Sequence, residues 1–426
     1  MSHATPSLDP AAPVSIRPPL SPPSAGAVVV EPASRLQSLD AYRGLIMVAL
    51  AFNGFGLAGV ARNYLRENPT SGFWAAVLHQ FEHVEWIGIG FWDLIQPSFM
   101  FMVGVSMAYS YLRRQREGQS WGRMFGHACW RAVALIALAI FLSSGSSRST
   151  NWTLMNVLAQ IGLGYPFLFL LWGRSPRFHA ITAAAILLGT WALYAFYPGA
   201  GLDVSKGAPQ VGVTATWAQQ QLAEVGPAWH KNANVGHAID TWLLNQFPRR
   251  EAFVFNSGGY QTINFIPALA TMLFGLMCGE LLRSNRSARQ KGLLLLYAGI
   301  AGLVLGTVLQ WCGVPLVKRI WTPSWALYST GWCCLILAAL YVIMDVRQWR
   351  RWAFPLLVVG MNSIAIYCLG QLLRGWTARS LQTHLGEDVF KLLGAAWSPF
   401  VQATMVGLVF WGVCYWMYRR KIFLRI

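Results

Sequence analysis

His83-Val84-Glu85-Trp86-Ile87-Gly88, closely followed by Asp93-Leu94-Ile95-Gln96-Pro97, leads directly into an apolar run. A histidine and an aspartate therefore stand at the mouth of a membrane span. Ionisable and amide side chains are costly in such a place and are kept there when they are used. This stretch is where chemistry is expected.

The surrounding chain fits a membrane setting. Of its 426 residues, 55% are hydrophobic and only 12% charged, with a mean hydropathy of +0.42. A soluble domain carries about 25% charged residues. Apolar runs of about 20 residues recur, long enough to cross a hydrocarbon core as helices, and they lack the two-residue alternation of barrel strands. The expected fold is all-α: a polytopic helical membrane bundle. Its spans fall at about 42–60, 89–111, 127–143, 152–171, 178–197, 261–282, 291–311, 323–345, 353–373 and 396–419. This counts about ten transmembrane helices.

The net charge of +17 is distributed by topology. With both termini cytoplasmic, the short inner loops are the basic ones. They carry Arg113, Arg114, Arg116 and Arg123, then Arg283, Arg286, Arg289 and Lys291, then Arg347, Arg350 and Arg351, with the tail Arg419-Arg420-Lys421 matching them. That is the positive-inside pattern, and it leaves no case for a nucleic-acid partner. The seven cysteines lie in or beside spans without metal-ligand spacing, so no metal and no disulfide framework are expected. Residues 1–34, rich in Pro, Ala and Ser, read as a disordered cytoplasmic tail, and 35–426 as the membrane domain. Ser38 and Asp40 are the candidate N-caps of the first span. Two long extracytoplasmic loops, 61–85 and 198–260, have the length of functional lids or binding segments.

Polar groups converge on the outer half. Asp93 and Gln96 share a face of the second span, Thr153, Asn156 and Gln160 form one stripe on the fourth, and Gln261 and Asn264 share a face of the sixth. Helix N-termini there favour a developing anion. Asn53-Gly54 reaches the same level from span 1. Asp40 and Arg43 at the inner mouth, with Asn362 and Ser363 mid-span, suggest a passage open to both faces. Structural roles stay open for each residue. His83 is also readable as a solvated loop residue, Asp93 as a dipole complement, the amides as interhelical glue, Trp86 and Trp92 as interface-belt aromatics, and Arg113-Arg114 as a topology signal.

In order along the chain, these segments resemble a known family. Ser38-Leu39-Asp40-Ala41-Tyr42-Arg43-Gly44 resembles the S-L-D-x-[FY]-R-G opening of the heparan-α-glucosaminide N-acetyltransferase family and its bacterial relatives. Asn53-Gly54 is similar to its asparagine–glycine pair, and His83 through Pro97 to its H-x-x-W-x-G…D-L-x-x-P element. Gly259 through Asn264 and Gly275 through Gly279 resemble its G-x-x-x-T-x-N and glycine segments. Val359 through Tyr367 is close to V-x-G-M-N-A-I-x-I-Y. The likeness runs from about residue 36 to 420.

The resemblance implies a membrane acyltransferase. Acetyl-CoA or another acyl-CoA would be the co-substrate, entering from the cytoplasm, and a sugar or glycan amine or hydroxyl the extracytoplasmic acceptor. By matching position, His83 is the active histidine, Asn53 its assistant and Asp93 the acid. An imidazole can serve as general base or as covalent acyl carrier. Arg43, Arg113, Arg114, Asn362 and Ser363 are the candidate CoA-binding residues, and Trp86, Gln261 and Asn264 the candidate acceptor-binding residues. The expected setting is the lipid bilayer of a bacterial inner membrane, with a homodimer among the assemblies left open. A transporter or flippase with a polar central passage is the competing expectation.

Overall fold

The computed structural model describes residues 36–145, 147–199 and 201–424. The proposed tail, 1–34, lies outside them. The described residues are all-helical. Their principal helices are α1 (Gln37–Ala51), α2 (Leu57–Glu67), α3 (Gly72–Phe81), α4 (Ile95–Arg116), α5 (Trp121–Ser144), α6 (Val157–Leu171), α7 (Pro176–Ala195) and α8 (Ala215–Leu222). These are followed by α9 (Val235–Leu244), α10 (Phe265–Arg283), α11 (Ala288–Trp311), α12 (Pro323–Leu340), α13 (Phe354–Met361), α14 (Ser363–Leu372), α15 (Arg374–Leu385) and α16 (Ser398–Arg419).

Six helical segments are long and apolar enough to cross a membrane, or eight if each of two bent pairs is one span. The ten-span expectation differs from this at two places. Helix α4 has polar and charged ends, including Gln96 and Arg113, Arg114 and Arg116. Helix α6 has only 15 residues, about 22 Å of rise, because the chain from Asn151 to Asn156 enters it without helical turns.

The two bends also revise the sequence reading. After α1 the chain makes a left-handed turn, with φ of +49° at Asn53, +59° at Gly54, +54° at Phe55 and +64° at Gly56, and the axis changes by 44°. Glycine adopts this region freely and asparagine more readily than most residues. The loop expected at 61–85 therefore holds the end of α2 and all of α3. The second bend, of 70°, falls at Asn362 between α13 and α14. At the other end of α1, neither Ser38 nor Asp40 is the N-cap. The carboxylate of Asp345, remote in sequence, accepts from the amides of Gln37 (3.2 Å) and Ser38 (3.4 Å).

Helix α10 sits at the centre, packed on α4, α6, α7 and α12, while α11 and α12 pair as a hairpin. Without a hydrophobic driving force between helices in lipid, close approach relies on small residues. A Cβ on Gly104 would overlap the carbonyl oxygen of Met272, and one on Gly275 that of Phe101. Gly275→Leu is thus expected to lower stability by about 3 kcal/mol or more, read as a fall in melting temperature in detergent. Gly412→Leu, where a Cβ meets open space, should leave it unchanged. Equal melting of the two variants would contradict this packing.

Candidate functional site

The C-terminal ends of α1 and α14 and the N-terminal ends of α4 and α6 line a cavity of about 360 Å³, together with the segments that carry His83, Tyr260 and Lys318. Its lining is amide, aromatic and apolar: Gln96, Asn156, Asn256 and Gln371 alternate with Trp92, Phe99, Tyr260 and Tyr367. His83, with 42% of its side chain exposed, presents its ring to this space.

Two buried charges hold that ring. Asp93, 2% exposed, places Oδ1 2.8 Å from His83 Nδ1. The ammonium of Lys318, 7% exposed, lies 3.1 Å from the same nitrogen and 3.2 Å from the same oxygen. An ammonium has only donors. With Asp93 ionised, Nδ1–H and Lys318 both donate to Oδ1, and the lysine charge rests against the ring edge. The other oxygen of Asp93 accepts from the amides of Val84 (3.2 Å) and Gly90 (3.3 Å). This ties the histidine loop to the start of α4. His83 Nε2 is left with no hydrogen-bond partner among the described residues, so its lone pair is available.

The pKa of His83 is lowered from its ordinary 6.5. Burial is the main cause, the hydrogen bond to Asp93 opposes it, and the Lys318 and Arg319 charges add to the lowering. The imidazole is therefore neutral at pH 7, as a base or nucleophile must be. Observed by NMR, His83 should titrate below 6.5. Because removing a nearby cation favours the protonated ring, Lys318→Met should move that midpoint upward. An unmoved midpoint would contradict the role given to the lysine.

Lys318 was not found by sequence reading. It sits in a short turn, Lys318–Ile320, where the pair Lys318-Arg319 is flanked by Val317 and Ile320. Two adjacent cations between apolar residues were the available signal. Arg319 is a brace: Nε and Nη2 donate to the Val84 carbonyl at 3.3 and 3.2 Å, and Nη1 to that of Gly258 at 2.7 Å.

Of the remaining expected residues, several are committed to holding segments together. Trp86 is 1% exposed and donates to the Trp229 carbonyl at 3.1 Å, fixing the 198–260 segment to the histidine loop. Gln261, 1% exposed, donates to Asn234 Oδ1 at 2.6 Å and accepts from Tyr194. Asn264 donates to the Arg319 carbonyl at 2.8 Å, and Asp240 receives the Thr262 amide. These residues act as glue around the cavity, the alternative weighed for the amide stripes. Asn53 is exposed at the left-handed turn, outside the cavity lining, and its side chain has no hydrogen-bond partner among the described residues.

The expected CoA-binding residues are spread out. Arg43 bonds Asp40 at 3.2 Å and reaches Ser106 on α4. Arg113 pairs with Glu117 at 3.5 Å, and Arg114 contacts Gln119 and His127. These last two arginines are separated from Gln96 by most of α4, roughly 27 Å at about 1.5 Å per residue. Asn362 is fully buried. Its amide donates to the Ile422 carbonyl and accepts from the Leu424 amide, both at 3.1 Å, which pins the chain after α16 to the α13–α14 bend. Ser363 closes on the Gly360 carbonyl at 2.8 Å.

Fold and cavity together define a multi-pass helical membrane protein with a histidine–carboxylate–lysine cluster at one end of its helices. No family model matches the chain. It is similar to heparan-alpha-glucosaminide N-acetyltransferase of Homo sapiens, 22% identical over 92% of this chain and 60% of that protein. It is likewise similar to the Mus musculus protein of the same name, 22% identical over 92% of this chain and 61% of that protein. The chain thus spans about 60% of the length of these curated relatives. This likeness agrees with the order of motifs read along the sequence.

Proposed function

We propose that this protein is a membrane acyltransferase. It moves an acetyl or other acyl group from cytoplasmic acyl-CoA to an extracytoplasmic amino sugar or glycan, with His83 as base or acyl carrier. The reading takes the ten spans and two cytoplasmic termini of the positive-inside pattern as its topology, and a bacterial inner membrane as its setting. The observation that carries it is the neutral His83 ring, with a free Nε2 at a cavity and Nδ1 fixed by buried Asp93 and Lys318. Support comes from the relatives, whose name specifies N-acetyl transfer to a heparan α-glucosaminide.

The chemistry follows from these groups. In direct transfer, Nε2 takes the proton of the acceptor amine or hydroxyl as that atom attacks the thioester carbonyl. The C–S bond breaks, and the departing CoA thiolate recovers the proton. In the covalent route, Nε2 attacks the carbonyl and CoA leaves as thiolate; the acceptor then displaces the ring from the acyl-imidazole, and the proton it gives up protonates the thiolate through solvent. Asp93 stabilises the ring orientation and its developing positive charge in either route. Donors placed near the carbonyl oxygen, such as Lys318 or the N-terminal amides of α6, would stabilise the oxyanion by about 3 kcal/mol each. The amide and aromatic lining suits a sugar, which presents hydroxyls and apolar ring faces.

The test is CoA release by purified protein given radiolabelled acetyl-CoA and a panel of amino sugars. Acceptor-dependent release with label on the sugar supports the reading. Passage of an intact solute across a vesicle without CoA release would assign the cavity to a transporter instead.

A further inference from the structure

At the opposite end of α4 from His83, five side chains form a group with more donors than acceptors, although Arg114 also reaches Oε1 of Gln119 at 3.3 Å. Arg114 lies 2.8 Å from Nε2 of His127. Receiving that donor, the ring carries its hydrogen on Nδ1, which is buried without a partner. The Tyr111 ring lies 6.4 Å from the His127 ring and 6.4 Å from that of Tyr165, and its hydroxyl is also buried and unpartnered. Arg131, one turn beyond His127 on α5, sits 4.7 Å from the centre of the Tyr165 ring and donates to its hydroxyl at 3.2 Å. Its Nε is the third buried group with no partner.

Charge gives the same answer as hydrogen bonding. Among the described residues no carboxylate pairs with Arg114 or Arg131, and Glu117 is engaged by Arg113 at 3.5 Å. Arg131 is half-buried and stays against Tyr165, which is only 1% exposed. Each buried unmet donor costs about 1–3 kcal/mol. A group that is anionic and rich in acceptors meets all three donors and both charges.

We propose that Arg114, His127, Arg131, Tyr111 and Tyr165 form a phosphate-binding site. Both arginines and His127 are partly exposed, and the phosphate enters by rotation of these side chains. Guanidinium groups match phosphate oxygens in geometry as well as charge. The phosphate belongs either to the nucleotide end of CoA, an assignment that rests on the function proposed above, or to an anionic lipid headgroup.

Binding rather than turnover decides between them. Full-length protein in phosphatidylcholine nanodiscs is titrated calorimetrically with acetyl-CoA and with its 3′-dephospho form. Its melting temperature is compared in nanodiscs with and without phosphatidylglycerol. Arg131→Gln and, as a second variant, Arg114→Gln are set against Arg123→Gln in the exposed first turn of α5. If CoA supplies the phosphate, both variants bind acetyl-CoA about tenfold more weakly or worse, the effect of one lost charge-assisted hydrogen bond. The dephospho form then binds wild type as weakly. If lipid supplies it, CoA binding is unchanged and the stabilisation by phosphatidylglycerol disappears in both variants. Responses identical to Arg123→Gln in both arms would overturn the site. Binding and melting are read here without turnover, so an absence of transfer activity in wild type would remove the functional reading, whereas a phosphate response lost in both arginine variants would still stand.

Discussion

Replacing His83 by alanine is expected to reduce acyl transfer on the order of 10³-fold while the protein stays folded. His83 Nε2 is a basic nitrogen at the cavity with no hydrogen-bond partner among the described residues, and a positioned base of this kind contributes roughly 10²–10⁴-fold. Its 42% exposure means that truncation leaves little void. The loop remains tied through Val84 and Arg319, whose bonds do not involve the imidazole. Melting temperature should therefore change little as kcat/KM falls. Retained activity in a folded His83→Ala protein would remove the residue from the mechanism.

Asp93→Ala is expected to act on stability as well as on activity. Asp93 is the only carboxylate within salt-bridge reach of Lys318 among the described residues. Removing one partner of a buried pair strands the other, which typically costs about 3–5 kcal/mol. Asp93 also anchors the Val84 and Gly90 amides, so the histidine loop loosens too. The double variant Asp93→Ala/Lys318→Met should recover part of the lost stability, because it no longer buries an unpaired ammonium, but none of the activity. Simple addition of the two single effects on melting would indicate that the pair is not coupled.

Much of the fold was legible because lipid imposes long apolar helices and small residues where they cross. The runs at α5, α7, α10, α11, α12 and α16 stand out in the sequence for that reason. Helices α4 and α6 were counted as spans, but α4 has polar and charged ends and α6 only 15 residues. The helical content of 61–85 was missed because its register depends on a left-handed turn at Asn53–Gly56, which hydropathy does not encode. The cap of α1 was missed because Asp345 supplies it from another part of the chain.

The site was legible in part. His83 and Asp93 were found because a titratable pair at a span mouth is conspicuous. Lys318 lies 225 residues beyond Asp93 in sequence, and nothing in local spacing joins them. Trp86, Gln261 and Asn264, expected at the acceptor, are buried and hydrogen-bonded to the segments around the cavity.

The account depends on a thioester reaching His83. A cryo-EM structure of the protein with CoA added tests this most directly. The thiol is expected inside the cavity within about 3.5 Å of Nε2, the separation of a reactive pair. A CoA molecule bound with its thiol elsewhere, or a His83 ring turned to lipid while CoA occupies its site, would contradict it.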